Sequence, residues 1–205
     1  MVPELHHEDF GVLIQVLDRR RRYSEYAVSR FHPTTRSTGK PDGAVMTSPH
    51  TPSTPFISTD ALLDHWQGHR RLTRRVIEMY PDDQLFTFSI GGMRTFGDLA
   101  NELLGMAGPM AHGLATLEWG GYAPPKASSK AEILRLWDEG TAKINEFWAR
   151  IPGERFQETL TSFGQYTGPG YWQVLYIVDN EIHHRGQAYV YLRALGVEPP
   201  PFWER

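Results

Sequence analysis

The sequence predicts an all-α protein that is built around a four-helix bundle. Four stretches, each of roughly 20 residues, carry apolar side chains at helical spacing. Helix-capping residues precede three of these stretches, and Pro or Gly follows them. No stretch sustains the alternation of apolar and polar residues that is typical of strands. Because the connections differ in length, the order in which the helices pack stays open.

The first 56 residues are predicted to be an extension outside the bundle. Residues 8–27 are a short helix candidate, and residues 31–56 are rich in Pro, Ser, Thr and Gly. A segment of the latter composition buries too little apolar surface to offset its ordering entropy, which predicts a mobile linker. We therefore expect a partly disordered extension over residues 1–56 and a bundle domain over residues 57–205.

The first bundle helix is predicted from Thr59 to Met79, after a cap-forming polar triplet at residues 58–60 and before a proline. The arginines at positions 70, 71, 74 and 75 are expected to lie mostly outside its apolar stripe. His69 is expected to point inward, one turn after His65. The inward stripe consists of Leu62, Trp66, His69, Thr73 and Val76.

The second helix is predicted to begin at Thr95, whose hydroxyl can cap the amide of Asp98 while that carboxylate reaches back. It is expected to end near the glycine pair at residues 120–121. Glu102 lies on its apolar stripe, three residues after Leu99 and four before Met106. An unpaired carboxylate is costly to bury, so Glu102 is expected to take up a proton or to attract a cation.

The third helix is predicted to begin at Ser129, with Glu132 completing another capping box, and to run as far as Ile151. It carries an apolar stripe and no obvious catalytic group. Residues 153–169 then form a connection, in which the segment at 159–163 alternates weakly and is expected to be briefly extended.

The fourth helix is predicted from Tyr171 to Leu195 and is apolar on nearly every side. Its midpoint nevertheless carries several polar residues, which need partners when they are buried. Asn180 and His184 are four residues apart and therefore share one face. His183 points about 100° away from His184 and is expected to be a supporting or surface residue.

Three inward polar groups on three helices are expected to converge: His69, Glu102, and the pair Asn180 and His184. Imidazole, carboxylate and amide oxygen together suit a divalent first-row metal with open positions for water or substrate. The alternative is a buried polar network in which Glu102 accepts from Arg185 or from a histidine. Arg185 either orients a carboxylate or pairs with Asp179 on its own helix. Spacing alone leaves both interpretations open.

The composition and net charge of the chain exclude several kinds of metal site and argue against several classes of partner. The chain has no cysteine, so a metal here must be held by His, carboxylate or amide oxygen. The formal net charge of −3 argues against duplex nucleic acid as a partner, and the arginines at 19–22 are explained by an exposed helix face. No signal-peptide pattern and no run of about 18 apolar residues is present, which predicts a soluble, cytoplasmic protein.

Two segments carry a resemblance to a known family. The string DNEIHHRGQAYVYLRALGVEPP, residues 179–200, resembles the last helix of DinB-like proteins, and TFGDLANELLGM, residues 95–106, resembles their second helix. The resemblance covers about residues 57–205. It implies a bundle of the DinB/YfiT-like type, commonly a homodimer, with a divalent metal held by three histidines.

The resemblance places the metal ligands of this chain at Glu102, Asn180 and His184. Only His184 keeps the histidine of the family pattern. Glu102 and Asn180 offer oxygen instead, which implies a mixed and harder site for Zn²⁺, Ni²⁺ or Mn²⁺. His69 is a possible additional ligand from the first helix, and Arg185 is a possible neighbour in the same pocket.

Family members of known activity resemble transferases and isomerases in which a metal activates an external low-molecular-weight thiol, such as bacillithiol or mycothiol. The resemblance therefore implies a metal-dependent thiol transferase that acts on small electrophiles in detoxification or stress response. The alternative is a non-catalytic dimeric stress-response bundle with a degenerate metal site. The family's DNA-damage-inducible label suggests DNA binding as a third function, against which the net acidity argues.

Overall fold

The computed structural model describes residues 57–205. The helix predicted at residues 8–27, the linker at 31–56 and the arginines at 19–22 lie outside the described residues. Within them, four long helices confirm the predicted four-helix architecture. These are α1 (Thr59–Met79), α2 (Phe96–Thr116), α3 (Lys130–Trp148) and α4 (Gly170–Ala194).

The side chains that begin the first three helices are those the sequence indicates. The Ser58 hydroxyl accepts a hydrogen bond from the Ala61 amide at 3.1 Å. The Thr95 hydroxyl accepts from the Asp98 amide at 3.2 Å and donates to the Asp98 carboxylate at 2.6 Å. The hydroxyl of Ser129 accepts from the amide three residues later at 3.2 Å. Each cap satisfies an amide that the first helical turn leaves without a partner.

The end of α2 differs from the prediction. The helix ends at Thr116, a few residues before the glycine pair at 120–121, because Leu117 adopts a left-handed conformation with φ of 64°. The Leu117 amide donates to the Gly113 carbonyl at 2.8 Å and closes the last turn. A non-glycine residue is uncommon in this conformation, so residue types alone pointed to the later glycines.

A short two-stranded sheet connects α3 to α4. Strand β1 (Thr159–Ser162) confirms the expected extended segment, and it pairs in antiparallel register with β2 (Tyr166–Pro169). The Gln173 side chain, on α4, donates to one carbonyl of each strand, at 2.8 and 2.9 Å. These two hydrogen bonds hold the hairpin against the first turn of α4.

Helix α4 is packed between two partners. It contacts α1 on one side and α2 on the other, while α3 contacts both α1 and α2. The order around the bundle, which the sequence left open, is therefore α1, α3, α2, α4. Groups that approach α4 from α1 and from α2 meet different faces of it.

The core consists of two apolar clusters, one toward each end of the bundle. Trp66, Met110 and Trp148 belong to the first, and Val76, Leu99 and Trp137 to the second. Each fully buried aromatic side chain removes roughly 150–250 Å² from water, so these residues dominate the burial energy. Between the clusters lies a buried polar layer, which we define as His69, Arg70, Thr73, Glu181 and Arg185.

Within residues 57–205, no helix has the combination of length and apolar character that crossing a membrane requires.

Candidate functional site

The structure brings together the three predicted site residues on α2 and α4. Glu102 Oε1 lies 3.0 Å from His184 Nε2, and it accepts a hydrogen bond from Asn180 Nδ2 at 3.2 Å. The Glu102 side chain is 14% exposed and the His184 side chain 6%. We refer to Glu102, Asn180 and His184 as the Glu102 centre. These contacts of Glu102 agree with the expectation that a carboxylate on an apolar stripe needs partners.

Arg94 is a member of this site that the sequence did not indicate. Its Nη1 lies 2.7 Å from Glu102 Oε2, so both oxygens of the carboxylate have partners. Arg94 precedes α2 in a loop whose Gly91 and Gly92 take positive φ values of 63° and 75°. Helical periodicity says nothing about the path of such a loop, so no pattern could place this guanidinium beside Glu102.

Opposing effects set the charge of the Glu102 carboxyl. Burial acts to raise its pKa, but the hydrogen bond and charge of His184 and the charge of Arg94 outweigh burial. The pKa is lowered to about 2, well below the ordinary value of 4.5. Glu102 is therefore ionised at neutral pH and acts as an acceptor in all its contacts.

Aromatic side chains stand around the Glu102 centre. Burial raises the pKa of Tyr122, in the α2–α3 loop, to about 12, and the charge of Glu102 adds to this effect. Tyr166 and Tyr176 act on Tyr122 in the same direction, and their rings stack with centroids 6.4 Å apart. The ring of Trp172 in turn stacks with Tyr176, with centroids 6.2 Å apart. Phenol groups from three segments therefore lie near the charged centre.

A cation at the Glu102 centre would meet one carboxylate, one imidazole and one amide. Within residues 57–205, no group of three or more His, Asp or Glu side chains is arranged to hold a metal ion, so the Asn180 amide would have to supply the third donor. Its oxygen and nitrogen are assigned from hydrogen bonding, and a rotated amide presents oxygen to a cation. The buried Nδ1 of His184 has no hydrogen-bond partner among the described residues. Metal-binding imidazoles usually donate a hydrogen bond from the ring nitrogen that does not bind the metal. The described residues offer His184 no acceptor for such a bond.

The structure places His69 and Arg185 elsewhere, at the contact between α1 and α4. Arg185 Nη2 lies 2.9 Å from His69 Nδ1, and Arg205 Nη1 lies 3.0 Å from His69 Nε2. Arg185 also donates to the Thr73 hydroxyl at 2.9 Å. Because α1 and α2 meet α4 on different sides, His69 does not join Glu102, and Arg185 does not orient its carboxylate.

A buried ion network completes the polar layer. Thr73 donates to Glu181 Oε1 at 2.6 Å, and Arg70 Nη1 lies 4.0 Å from Glu181 Oε2, which is too long for a hydrogen bond. Burial raises the pKa of Glu181 although the charge of Arg70 opposes it. Arg70 was expected mostly outside the stripe, but it is 1% exposed and covers the ring of Trp137 at 4.2 Å. Its cation–π contact and its bond to the Trp137 carbonyl at 2.9 Å explain the burial.

Two surface depressions lie away from the Glu102 centre. One, of about 380 Å³, is lined by Phe86, Asp98, Asn101, Pro125, Lys126, Ala127 and Ser128. The other, of about 290 Å³, is lined by Asp64, His65, Gly68, Arg71 and Arg205. The second adjoins the contact between Arg205 and His69.

Comparisons with known proteins agree with this fold. The sequence model of the DinB family matches residues 56–205. A DinB-like protein from Bacillus subtilis superposes with a TM-score of 0.57 at 17% identity, over 70% of this chain and 98% of that one. A DinB-like protein from Bacillus cereus gives 0.57 at 20% identity, over 70% and 97%.

A third solved structure is that of the mycothiol-dependent maleylpyruvate isomerase. It superposes with a TM-score of 0.53 at 13% identity, over 64% of this chain and 61% of that one. No curated protein matches this chain in sequence. At these identities the solved structures share a fold with this chain, and the fold does not assign a reaction.

Proposed function

Because the chain belongs to the DinB family, we propose that it is an enzyme acting on a small molecule, with the Glu102 centre as its reaction site. One observation carries the proposal: Asn180 and His184 from α4 and Arg94 from the loop before α2 all converge on the Glu102 carboxylate, which lies on an apolar stripe of α2. Groups of this kind are expensive to bury and are concentrated at functional sites.

The proposal includes a divalent cation, Zn²⁺, Ni²⁺ or Mn²⁺, held by Glu102, Asn180 and His184. A bound cation lowers the pKa of a thiol and positions the thiolate for attack on an electrophile. The thiol has to be external because the chain contains no cysteine. The mycothiol-dependent isomerase, which has a similar fold, supports a low-molecular-weight thiol. The reaction class is therefore thiol transfer or thiol-assisted isomerisation.

The chain's own residues have separate tasks in this proposal. Arg94 and His184 keep Glu102 ionised, so the carboxylate stays available as a ligand and acceptor. Tyr122 keeps its proton at neutral pH, because its pKa is about 12, and can donate to a substrate oxygen. Trp172 is 43% exposed, and its indole offers an apolar surface to the substrate. Arg94 is 54% exposed, so its remaining N–H groups are accessible to an anionic substrate group.

A second candidate is a non-catalytic stress-response bundle with a degenerate metal site. It is favoured by the ion pair between Arg94 and Glu102, which already neutralises the carboxylate that a cation would use. The buried Nδ1 of His184 without an acceptor also favours it. In this case the Glu102 centre joins α2 to α4 and has no ligand.

Metal content separates the two candidates. Protein purified without a histidine tag and without chelator is analysed for bound metal, beside His184→Ala and Glu102→Ala. We expect bound metal in the wild type and its loss in both variants. Two exposed residues supply matched controls, His183 beside His184 in the sequence and Glu146 on α3, and His183→Ala and Glu146→Ala should keep the metal.

Thermal unfolding with added Zn²⁺, Ni²⁺ or Mn²⁺ gives an independent result. A ligand that binds only the folded state stabilises it by about 2.7 kcal/mol at one hundred times its dissociation constant. A melting temperature that rises with one of the metals supports the enzyme. An unchanged melting temperature with all three, together with less than about a tenth of an equivalent of bound metal, supports the degenerate bundle.

We also propose that the protein is a cytoplasmic homodimer that acts in detoxification or stress response. Exposed apolar side chains along α4 support a second copy as the partner, because they leave an unpaired apolar strip on the helix. These are Tyr171, Trp172, Leu175, Ile182 and Val190. Light scattering should give the mass of two chains, and Ile182→Lys should shift it toward the monomer. A monomeric wild type at all concentrations would contradict the dimer.

A further inference from the structure

The contacts of His69 contain a conflict between hydrogen-bond donors. Its two ring nitrogens face two guanidinium groups, Arg185 Nη2 at 2.9 Å and Arg205 Nη1 at 3.0 Å. Guanidinium nitrogens donate and do not accept. Burial, followed by the charge of Arg185, lowers the pKa of His69 to about 3, so the ring is neutral at pH 7. A neutral imidazole accepts at one nitrogen only.

The position of the imidazole proton follows from the other bonds of Arg185. That guanidinium is held by the Thr73 hydroxyl at 2.9 Å and by the His69 carbonyl at 3.3 Å, so it is in place to donate to His69 Nδ1. The proton of the ring then lies on Nε2 and points toward Arg205. Two donors meet there without an acceptor between them.

The depression beside this contact has a positive balance of charge. It is lined by the guanidinium-bearing Arg71 and Arg205, by His65 and by one carboxylate, Asp64. The His65 ring also touches the His69 ring, with centroids 4.7 Å apart. No ion pair joins the Arg71 or the Arg205 guanidinium to a carboxylate within residues 57–205. Asp64 is the one carboxylate side chain that lines the depression, against two guanidinium groups.

Gly68 allows the two arginines to converge. A Cβ atom at this position would lie 3.2 Å from Arg205 Cβ and 3.6 Å from Arg71 Nη2. Glycine is less favourable than alanine inside a helix, and here the missing side chain leaves room between two positive groups.

We propose that His65, His69, Arg71 and Arg205 form a binding site for a small oxyanion of the phosphate or carboxylate class. The anion accepts from His69 Nε2–H and from the Arg205 guanidinium, and so resolves the contact between two donors. Arg71, two residues after His69 on α1, lines the adjoining depression. Arg185 holds the imidazole by its Nδ1 and acts as a positioning residue. The site lies on the α1 side of α4, away from the Glu102 centre, and does not depend on the function proposed there.

Calorimetric titration of the full chain with inorganic phosphate, at constant ionic strength, tests the site. We expect saturable binding by the wild type. Arg205→Gln and Arg71→Gln should each weaken the affinity at least tenfold, while Arg150→Gln, which removes an exposed arginine on another surface, should leave it unchanged. Acetate in place of phosphate decides between a carboxylate and a phosphate ligand. Absence of saturable heat with both anions, or unchanged affinity in Arg205→Gln, would overturn the proposal.

Two further measurements exclude a merely structural effect. Gly68→Ala removes no charge and favours the helix, yet its Cβ displaces Arg205. We expect at least a threefold loss of phosphate affinity without a fall in melting temperature. In nitrogen-15 spectra of the imidazoles, phosphate should shift the His69 resonance, which His69→Gln identifies. Loss of binding in Glu102→Gln instead of Arg205→Gln would place the anion at Arg94 and refute the site.

Discussion

Glu102 Oε1 lies 3.0 Å from His184 Nε2, and this contact joins α2 to α4 through a carboxylate and an imidazole. The other carboxylate oxygen pairs with Arg94 at 2.7 Å. Glu102 is therefore the acceptor on which the polar groups of this side of the bundle depend. Substitutions of Glu102 or of its partners should therefore change cation affinity and the free energy of unfolding to different extents.

Replacement of Arg94 by glutamine should strengthen cation binding. It removes a positive charge that faces the carboxylate proposed as a ligand, so we expect Zn²⁺ to bind at least tenfold more tightly. Stability should change by less than about 1 kcal/mol, because more than half of the Arg94 side chain is exposed. Competition with a chromophoric chelator measures the affinity, with Arg150→Gln as control. Unchanged or weaker binding would show that Arg94 does not oppose the cation.

The stability contributed by the Glu102 carboxylate should disappear in acid. Its pKa is about 2 in the folded chain, against an ordinary value of 4.5. A lowered folded pKa gives stability that is complete above the unfolded pKa and is lost as the pH falls toward the folded pKa. Glu102→Gln should therefore be less stable than wild type at neutral pH, by on the order of 1–3 kcal/mol, and this gap should close between about pH 5 and pH 2.

Urea unfolding at several pH values measures that gap. Glu146→Gln, which changes an exposed carboxylate on α3, should follow the wild type throughout. A difference between Glu102→Gln and wild type that stays constant down to pH 2 would contradict the assigned charge state.

Loss of Glu181 should be much more damaging than loss of Glu102. Glu181→Ala leaves the buried Arg70 without its carboxylate, and such uncompensated buried charges cost about 3–5 kcal/mol. The double variant Glu181→Leu with Arg70→Met removes this pair of charges, while Arg185, 3.9 Å from Glu181 Oε1, keeps its bond to Thr73. It should recover at least half of that loss. Chemical unfolding of the three proteins tests this. A double variant no better than the single one would mean that the packing of Arg70 on Trp137 matters more than its charge.

Two helical glycines should respond in opposite directions to alanine. A Cβ at Gly105, in α2, would lie 2.7 Å from the Pro124 Cα, so Gly105→Ala must displace the loop that carries Tyr122. We expect a loss of about 1–3 kcal/mol. At Gly186, in α4, a Cβ would meet no atom within 4 Å, so Gly186→Ala should stabilise the helix by up to about 1 kcal/mol. Melting temperatures of the pair check this, and equal shifts in one direction would contradict the loop contact.

Local patterns predicted much of the fold. Ser58, Thr95 and Ser129 begin their helices as expected, because a cap is a bond between residues that are three apart in sequence. The end of α2 was placed too late, because Leu117 takes a conformation that its residue type disfavours.

The candidate site, like the fold, was predicted only in part by local sequence patterns. The sequence by itself determined that Asn180 and His184 share a face and that Glu102 lies on an inward stripe, because the helical repeat sets the direction of each side chain. Only the tertiary structure decided that Arg94 completes the Glu102 centre and that His69 belongs with Arg205. Those contacts depend on the path of a loop and on α4 packing between α1 and α2, and both are set by contacts between residues far apart in the chain.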